Sequence, residues 1–227
     1  MPWEDALKEK ERIDELDRNR NIESLFRICV LNINSLSAHF EDVIADWKMI
    51  SAAVICLQET WCHPDDQTSA FEIPRKTLHL NSVRKGAGLA THYINKFTHL
   101  KDVRAMTYQI TAIESLECVV INIYRSQNAP NQSVMDALSS VIKEVTKTIY
   151  ICGDWNICHR DETNHKILHF LSVNGFEPLL KTPQPTHTGG RCIDMAWIRN
   201  PRWEDIRTSI SFTYYSDHGI TTIDHFR

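Results

Sequence analysis

The chain has 227 residues, enough for one large domain to bury a core without disulfide or metal staples. Hydrophobic residues make up 42% and charged residues 24%, the ordinary proportions of a globular protein, and no apolar run approaches membrane-spanning length. A protein that merely coats nucleic acid should be basic; the net charge of −4 argues against that class and leaves open an enzyme that touches only a few phosphates.

Met1 to Arg20 is charged throughout and has no signal-peptide apolar region. It belongs to a helix predicted over Pro2–Ser24, with sparse apolar positions at Trp3, Leu7, Ile13 and Leu16. Residues 1–24 hold five basic and eight acidic side chains, so they are expected to form a solvated extension or, as the favoured alternative, a joint cut from a longer polyprotein. The folded domain is then residues 25–227. Strands are predicted over Phe26–Ile33, Ala53–Gln58, Gly88–Ile94, Cys118–Tyr124, Ile149–Gly153, Ile193–Ile198 and Ile220–Ile223. Helices fit Glu41–Ile50, Val134–Val145 and Asp161–Val173, the last with Thr163 as N-cap and Gly175 just past its end. Strands outnumber helices, and several follow one another directly, which points to two packed mixed sheets flanked by helices. Seven cysteines (Cys29, Cys56, Cys62, Cys118, Cys152, Cys158 and Cys192) form an odd set without a CxxC pair. Cys29, Cys56 and Cys152 lie in apolar runs, where buried free thiols are expected, so a reducing intracellular compartment follows.

Polar residues gather where these strands end, at Asn32-Ile33-Asn34, Gln58-Glu59-Thr60, Gly153-Asp154-Trp155-Asn156, Cys192-Ile193-Asp194 and Ser216-Asp217-His218. Each is unremarkable alone: a Gly-Asp pair is usually a turn, a strand-end Asn usually satisfies backbone, and a single His is usually structural. Together they fill every role in cleaving a phosphodiester, which needs a hard cation, a group for the attacking water and donors for developing negative charge. Glu59 and Asp217, helped by the Asn32 amide, supply ligands for magnesium. Asp154 is placed to take the water's proton with Asn156 beside it, while His218 donates to the phosphate and Asp194 fixes its tautomer.

In order and approximate spacing, these segments resemble the exonuclease–endonuclease–phosphatase superfamily from residue 26 to about 225. The resemblance implies a four-layered α/β sandwich. It implies Glu59 as the principal metal ligand, with Asn32, Asp217 and Asn34 near the Mg2+ (or a substituting Mn2+). It also implies Asp154 and Asn156 on the water, His218 and Asp194 on the phosphate, and Tyr124 as a phosphate-contacting tyrosine. Leu31–Leu36, Gln58–Trp61 and Pro185–Gly190 are most similar to the endonuclease domains of non-long-terminal-repeat retrotransposons and related mobile elements. That implies an enzyme nicking one strand of duplex DNA to leave a 3′-hydroxyl, with reverse transcriptase or helicase domains in the same polyprotein and a nuclear location. Thr186, Arg191 and Asn128 are the implied DNA contacts. The alternative is an abasic-site repair endonuclease or another phosphoesterase of this fold. Three departures stand out. Asn34 replaces the aspartate of abasic-site endonucleases, which weakens the case for a second metal. Arg125–Pro130 differs from the Ala-Pro-Asn common in the group, and the segment from Thr186 to Asp194 is short.

Overall fold

The computed structural model describes residues 25–63, 65–66, 68–84, 86–160, 165–180, 184–201 and 205–226. The helix predicted over Pro2–Ser24 and the Thr163 cap lie outside these residues.

Two parallel strand pairs organise the chain. Strands β1 (Leu25–Asn32) and β2 (Val54–Gln58) pair from Ile28 opposite Val54 to Asn32 opposite Gln58. Strands β7 (Cys118–Arg125) and β8 (Thr148–Asp154) pair from Cys118 opposite Thr148 to Tyr124 opposite Asp154. A parallel pair requires a crossover. Helices α1 (Leu36–Ala45) and α2 (Trp47–Ser51) supply the first, and α3 (Asn131–Ile142) the second. The expected single helix over Glu41–Ile50 is therefore broken. Asp46 ends α1 in an extended conformation and its carboxylate caps α2 by accepting from Lys48 N at 2.9 Å, a role for which aspartate is well suited.

Antiparallel strands extend both pairs. The first sheet adds β3 (Lys76–Asn81), β4 (Leu89–Ile94), β11 (Ile206–Phe212) and β12 (Gly219–Phe226), in the order β11-β12-β1-β2-β4-β3. The second adds β5 (Thr98–Arg104), β6 (Tyr108–Glu114), β9 (Glu177–Pro178) and β10 (Asp194–Arg199), in the order β5-β6-β7-β8-β10-β9. Helix α4 (Lys166–Val173) starts five residues later than expected, with His165 accepting from Ile167 N. It ends at Val173 with Asn174 as its cap, and Gly175 follows with a φ of 78° that suits the residue after a helix cap.

Three apolar layers bind these parts together. Phe26, Ile28 and Val30 of β1 meet Val120, Tyr150 and Cys152 between the sheets. Cys29 and Leu31, facing the other way, pack with Leu36, Val43 and Met49 of the first crossover. Val134, Leu138, Ile167 and Leu171 cover the outer face of the second sheet. Central strands are thus buried on both faces, which is why they read as apolar runs. The result is the expected four-layered α/β sandwich. All seven cysteines are buried. Among the described residues no helix is long and apolar enough to cross a membrane.

Candidate active site

Strands β1, β2, β7 and β8 all end at one end of the sandwich, and β10 and β12, antiparallel to β8 and β1, begin there. This direction brings Asn32, Glu59, Tyr124, Asp154, Asp194, Asp217 and His218 to that end.

Asp154 lies at the centre of the arrangement. It is 1% exposed and stands in register with Tyr124 on one side and Asp194 on the other. Asn156 N donates to its Oδ1 at 2.9 Å, while Asn32 Nδ2 and Asn156 Nδ2 donate to Oδ2 at 3.0 and 3.1 Å. Asn156 reaches back through a left-handed φ of 50°, and its amide also donates to Arg125 O. Burial, and then the charge of Asp194, outweigh these donors and push the Asp154 carboxyl up to about 8.

His218 Nδ1 lies 2.8 Å from Asp194 Oδ2, so Nδ1 carries the proton that the carboxylate accepts, and Nε2 is left for a substrate. Burial opposes the imidazolium. The bond to Asp194 and the charges of Asp194, Asp154 and Asp217 overcome it and hold His218 at about 9. Ser216 fixes the segment: its Oγ donates to Asn32 O at 2.7 Å and accepts from His218 N at 3.0 Å.

Glu59 follows β2 with a φ of 49°, and its charge acts on the Tyr124 phenol. Burial, and then the charges of Glu59 and Asp154, raise the Tyr124 phenol far above its ordinary value, so it stays protonated and can donate. Behind these groups Gln58 Nε2 donates to Asn122 Oδ1 at 2.7 Å, and Asn122 Nδ2 to Thr91 Oγ1 at 3.1 Å, a polar seam joining the two sheets.

Not every expected residue is placed as the sequence implied. The Asn32 amide is committed to Asp154 through nitrogen, and its Oδ1 accepts from Asn34 N at 3.2 Å, so its contacts orient Asp154. Asn34 is exposed, with a φ of 49°. Asn128 is exposed in the loop after β7, and Arg191 is half-buried. Thr186, an implied DNA contact, is fully buried, and its hydroxyl accepts from Ile193 N at 3.1 Å and Asp194 N at 3.0 Å. It holds the start of β10. Arg125, treated above only as part of a departure, is a buried clamp. It donates to Trp155 O and Ala129 O and to Asn131 Oδ1, tying together the loops after β7 and β8. Sequence reasoning also passed over Ser216 and His187; for Ser216, a serine two residues before a loop histidine is a usable side-chain-to-backbone signal.

The donor set suits a hard divalent cation. Glu59 and Asp154 converge on Tyr124, and Asp154, Asp194 and His218 lie within ligand distance of one another. Among the described residues Asp194 Oδ1 is buried without a donor, and Asp217, its side chain 49% exposed, pairs only with a histidine. Such a concentration of carboxylate oxygen calls for a compensating cation.

Comparison with known proteins agrees with this architecture. The model of the Endonuclease/Exonuclease/phosphatase family matches residues 29–218. An AP endonuclease from Archaeoglobus fulgidus superposes with a TM-score of 0.68 at 17% identity, over 87% of this chain and 98% of that one. The AP endonuclease LMAP from Leishmania major gives 0.73 at 11% identity, over 93% and 90%. The endonuclease domain of TRAS1, a telomere-specific non-LTR retrotransposon, gives 0.66 at 14% identity, over 89% and 98%. A comparison with curated protein sequences finds no match. The two mixed six-stranded sheets, the carboxylates gathered at their shared end and the match over most of the chain agree: this protein belongs to the Endonuclease/Exonuclease/phosphatase family and is a hydrolase of the nuclease and phosphoesterase kind.

Proposed function

We propose that this chain is a divalent-metal-dependent endonuclease that nicks one strand of duplex DNA and leaves a 3′-hydroxyl. The observation that carries the proposal is Asp154: a carboxylate held by two amides and a backbone N–H, yet pushed to about 8, beside a histidine locked by Asp194. A base poised near neutrality is what proton abstraction from water requires. Asp154 takes that proton while Asn156 keeps the carboxylate aimed. His218, charged at neutral pH, donates from Nε2 to a phosphate oxygen as negative charge builds. The Tyr124 hydroxyl adds a second donor. Glu59 and Asp217 would hold magnesium, or manganese in its place, which would supply charge neutralisation at the phosphate. The P–O3′ bond breaks, and the departing oxygen takes a proton from solvent, giving a 5′-phosphate and a 3′-hydroxyl.

Duplex DNA as the substrate is supported by the segments similar to mobile-element endonucleases and by the exposed Asn128 and half-buried Arg191 at the ends of strands that lead to the site. The same likeness supports a mobile-element polyprotein, with a reverse transcriptase or helicase elsewhere and work in the nucleus. With Arg191 the only lysine or arginine in the 186–194 turn, the surface grips phosphates weakly. The expected activity is therefore nicking of intact duplex with modest sequence preference and a fall with salt only as steep as its few phosphate contacts dictate. The test is a parallel digest, with Mg2+, of an intact duplex and the same duplex carrying one abasic site. Nicking of both supports the proposal; cleavage confined to the abasic site moves the protein to repair, and cleavage of neither removes DNA as the substrate.

A further inference from the structure

The turn after Thr186 sets a histidine against the exposed carboxylate of the site. His187 Nε2 lies 3.1 Å from Asp217 Oδ2, and its ring stands edge-on to His218 with centroids 4.9 Å apart and planes at 90°. Backbone bonds hold the two segments together. Thr188 N donates to Asp217 O at 2.8 Å, Gly219 N donates to Thr186 O at 2.7 Å, and His187 and His218 form an isolated antiparallel bridge.

The tautomer of His187 can be assigned. Gly189 N donates to His187 Nδ1 at 2.8 Å, and a ring nitrogen that accepts carries no proton. The proton of the neutral ring therefore sits on Nε2, the nitrogen facing Asp217. A protonated nitrogen has no lone pair for a metal ion, so His187 meets Asp217 as a hydrogen-bond donor and not as a fellow ligand.

The contact matters because of where Asp217 stands. Asp154, 1% exposed, is fixed by packing and three donors, and Asp194, 2% exposed, by packing and the bond from His218. The Asp217 side chain is 49% exposed, and among the described residues its one side-chain partner is His187. An aspartate free to rotate in water must be ordered by the cation itself, at a cost in affinity.

We propose that His187 is a positioning residue of the cation site. Its Nε2–H holds Oδ2 of Asp217, and so presents the carboxylate in one orientation with the second oxygen open. This rests on Asp217 being a cation ligand. Gly189 belongs to the same device, since a Cβ there would lie 3.0 Å from His187 Nδ1 and press on the imidazole.

The experiment is a titration of Mn2+ into the metal-free full chain without DNA, read by calorimetry and by water-proton relaxation, with thermal unfolding of each variant as a check on folding. Loss of a hydrogen-bonded neighbour of a metal ligand typically weakens the metal about 10-fold or more. His187→Leu should show that loss. His187→Gln, whose amide can donate from nearly the same point, should recover most of it. Gly189→Ala should weaken Mn2+ in the wild-type background and add nothing to His187→Leu. Wild-type affinity in His187→Leu, or a glutamine variant as weak as the leucine one, overturns the proposal. Asp217→Asn separates the two levels. If it binds Mn2+ as the wild type does, the assignment of Asp217 fails and the role of His187 falls with it. If it weakens binding while His187→Leu does not, only the role of His187 falls.

Discussion

Gly153→Ala should damage this protein far more than a glycine-to-alanine change in a turn, and the structure gives the scale. Gly153 has a φ of 145° and lies opposite Ile123 in the parallel pairing of β7 and β8. A Cβ at that point would sit 1.9 Å from Ile123 O, 2.9 Å from Ile123 C and 3.0 Å from Ile123 N. These are backbone atoms inside a sheet and cannot swing aside. Reaching even 3.0 Å requires the strands to part by about 1 Å, one residue from where Tyr124 faces Asp154. Overpacking in a rigid core costs ~1–3 kcal/mol, and here backbone strain adds to it, so a loss of at least ~3 kcal/mol is expected. A displacement of about 1 Å in a catalytic group can lower turnover ~100-fold. Gly175→Ala is the control: its φ is also positive, 78°, but the nearest atoms are Arg199 Cδ and Cγ at 3.8 and 3.9 Å, so ~1 kcal/mol and undiminished turnover are expected. Urea unfolding gives the stability of each variant, and single-turnover nicking of supercoiled plasmid at saturating Mg2+ gives the activity. A Gly153→Ala protein matching Gly175→Ala in both measurements would refute the close-approach reasoning.

Glu59→Gln should keep the fold and lose more than ~100-fold in nicking, since a metal ligand matters more than the neighbours that orient one; retained activity at saturating Mg2+ removes Glu59 from the site. Asp154→Ala and His218→Ala should each cost ~100- to 10,000-fold, and the double variant little more than the worse single one; full additivity would mean that the two act in separate steps. His92 predicts the direction of acid destabilisation. It is fully buried, donates from Nε2 to Phe71 O at 2.8 Å, and burial lowers its pKa from 6.5 to about 4. Between those values the unfolded chain binds the proton and the folded one does not, so stability falls as pH drops from 6.5 toward 4, by up to ~3 kcal/mol. His92→Gln should remove that component from the difference in urea midpoints between pH 7 and pH 4; an unchanged difference would show that His92 does not carry it.

The strands that build the site were legible because of their position. β1, β7 and β8 are covered on both faces almost throughout, so sequence and burial carry the same message. Strands β3, β5 and β11 were missed because they stand at or near sheet edges and are largely half-exposed or exposed, which leaves no apolar alternation to read. β6 was missed for the opposite reason. It is buried, but Gln109 and Thr111 interrupt its apolar run, and each is satisfied inside, Gln109 by Ala105 O and Thr111 by Asp102. The order of the polar strand ends foretold which residues gather, but not how they touch. The contact between His187 and Asp217 spans 30 residues and leaves no trace in either segment. Thr186 likewise carries a structural part that likeness did not suggest, its hydroxyl accepting from two backbone N–H groups.

Chain direction turns five weak signatures into one site. In each sheet a single pair runs parallel and its other neighbours run antiparallel. A parallel pair delivers two strand ends to the same end of the sheet, and an antiparallel neighbour begins there. Asn32 with Gln58, Tyr124 with Asp154, and Asp194 opposite Asp154 are the last or first residues of such pairings. What each carboxylate can do then depends on how far it has been carried from water. Asp154 ends a strand covered on both faces; stripped of solvent beside another carboxylate, it is driven toward neutral pH, which suits a proton acceptor. Asp217 leaves the same end of the fold in a loop, stays half in water, and suits the holding of a hydrated cation. The two residues have the same side chain, and the difference in chemistry between them comes from the fold.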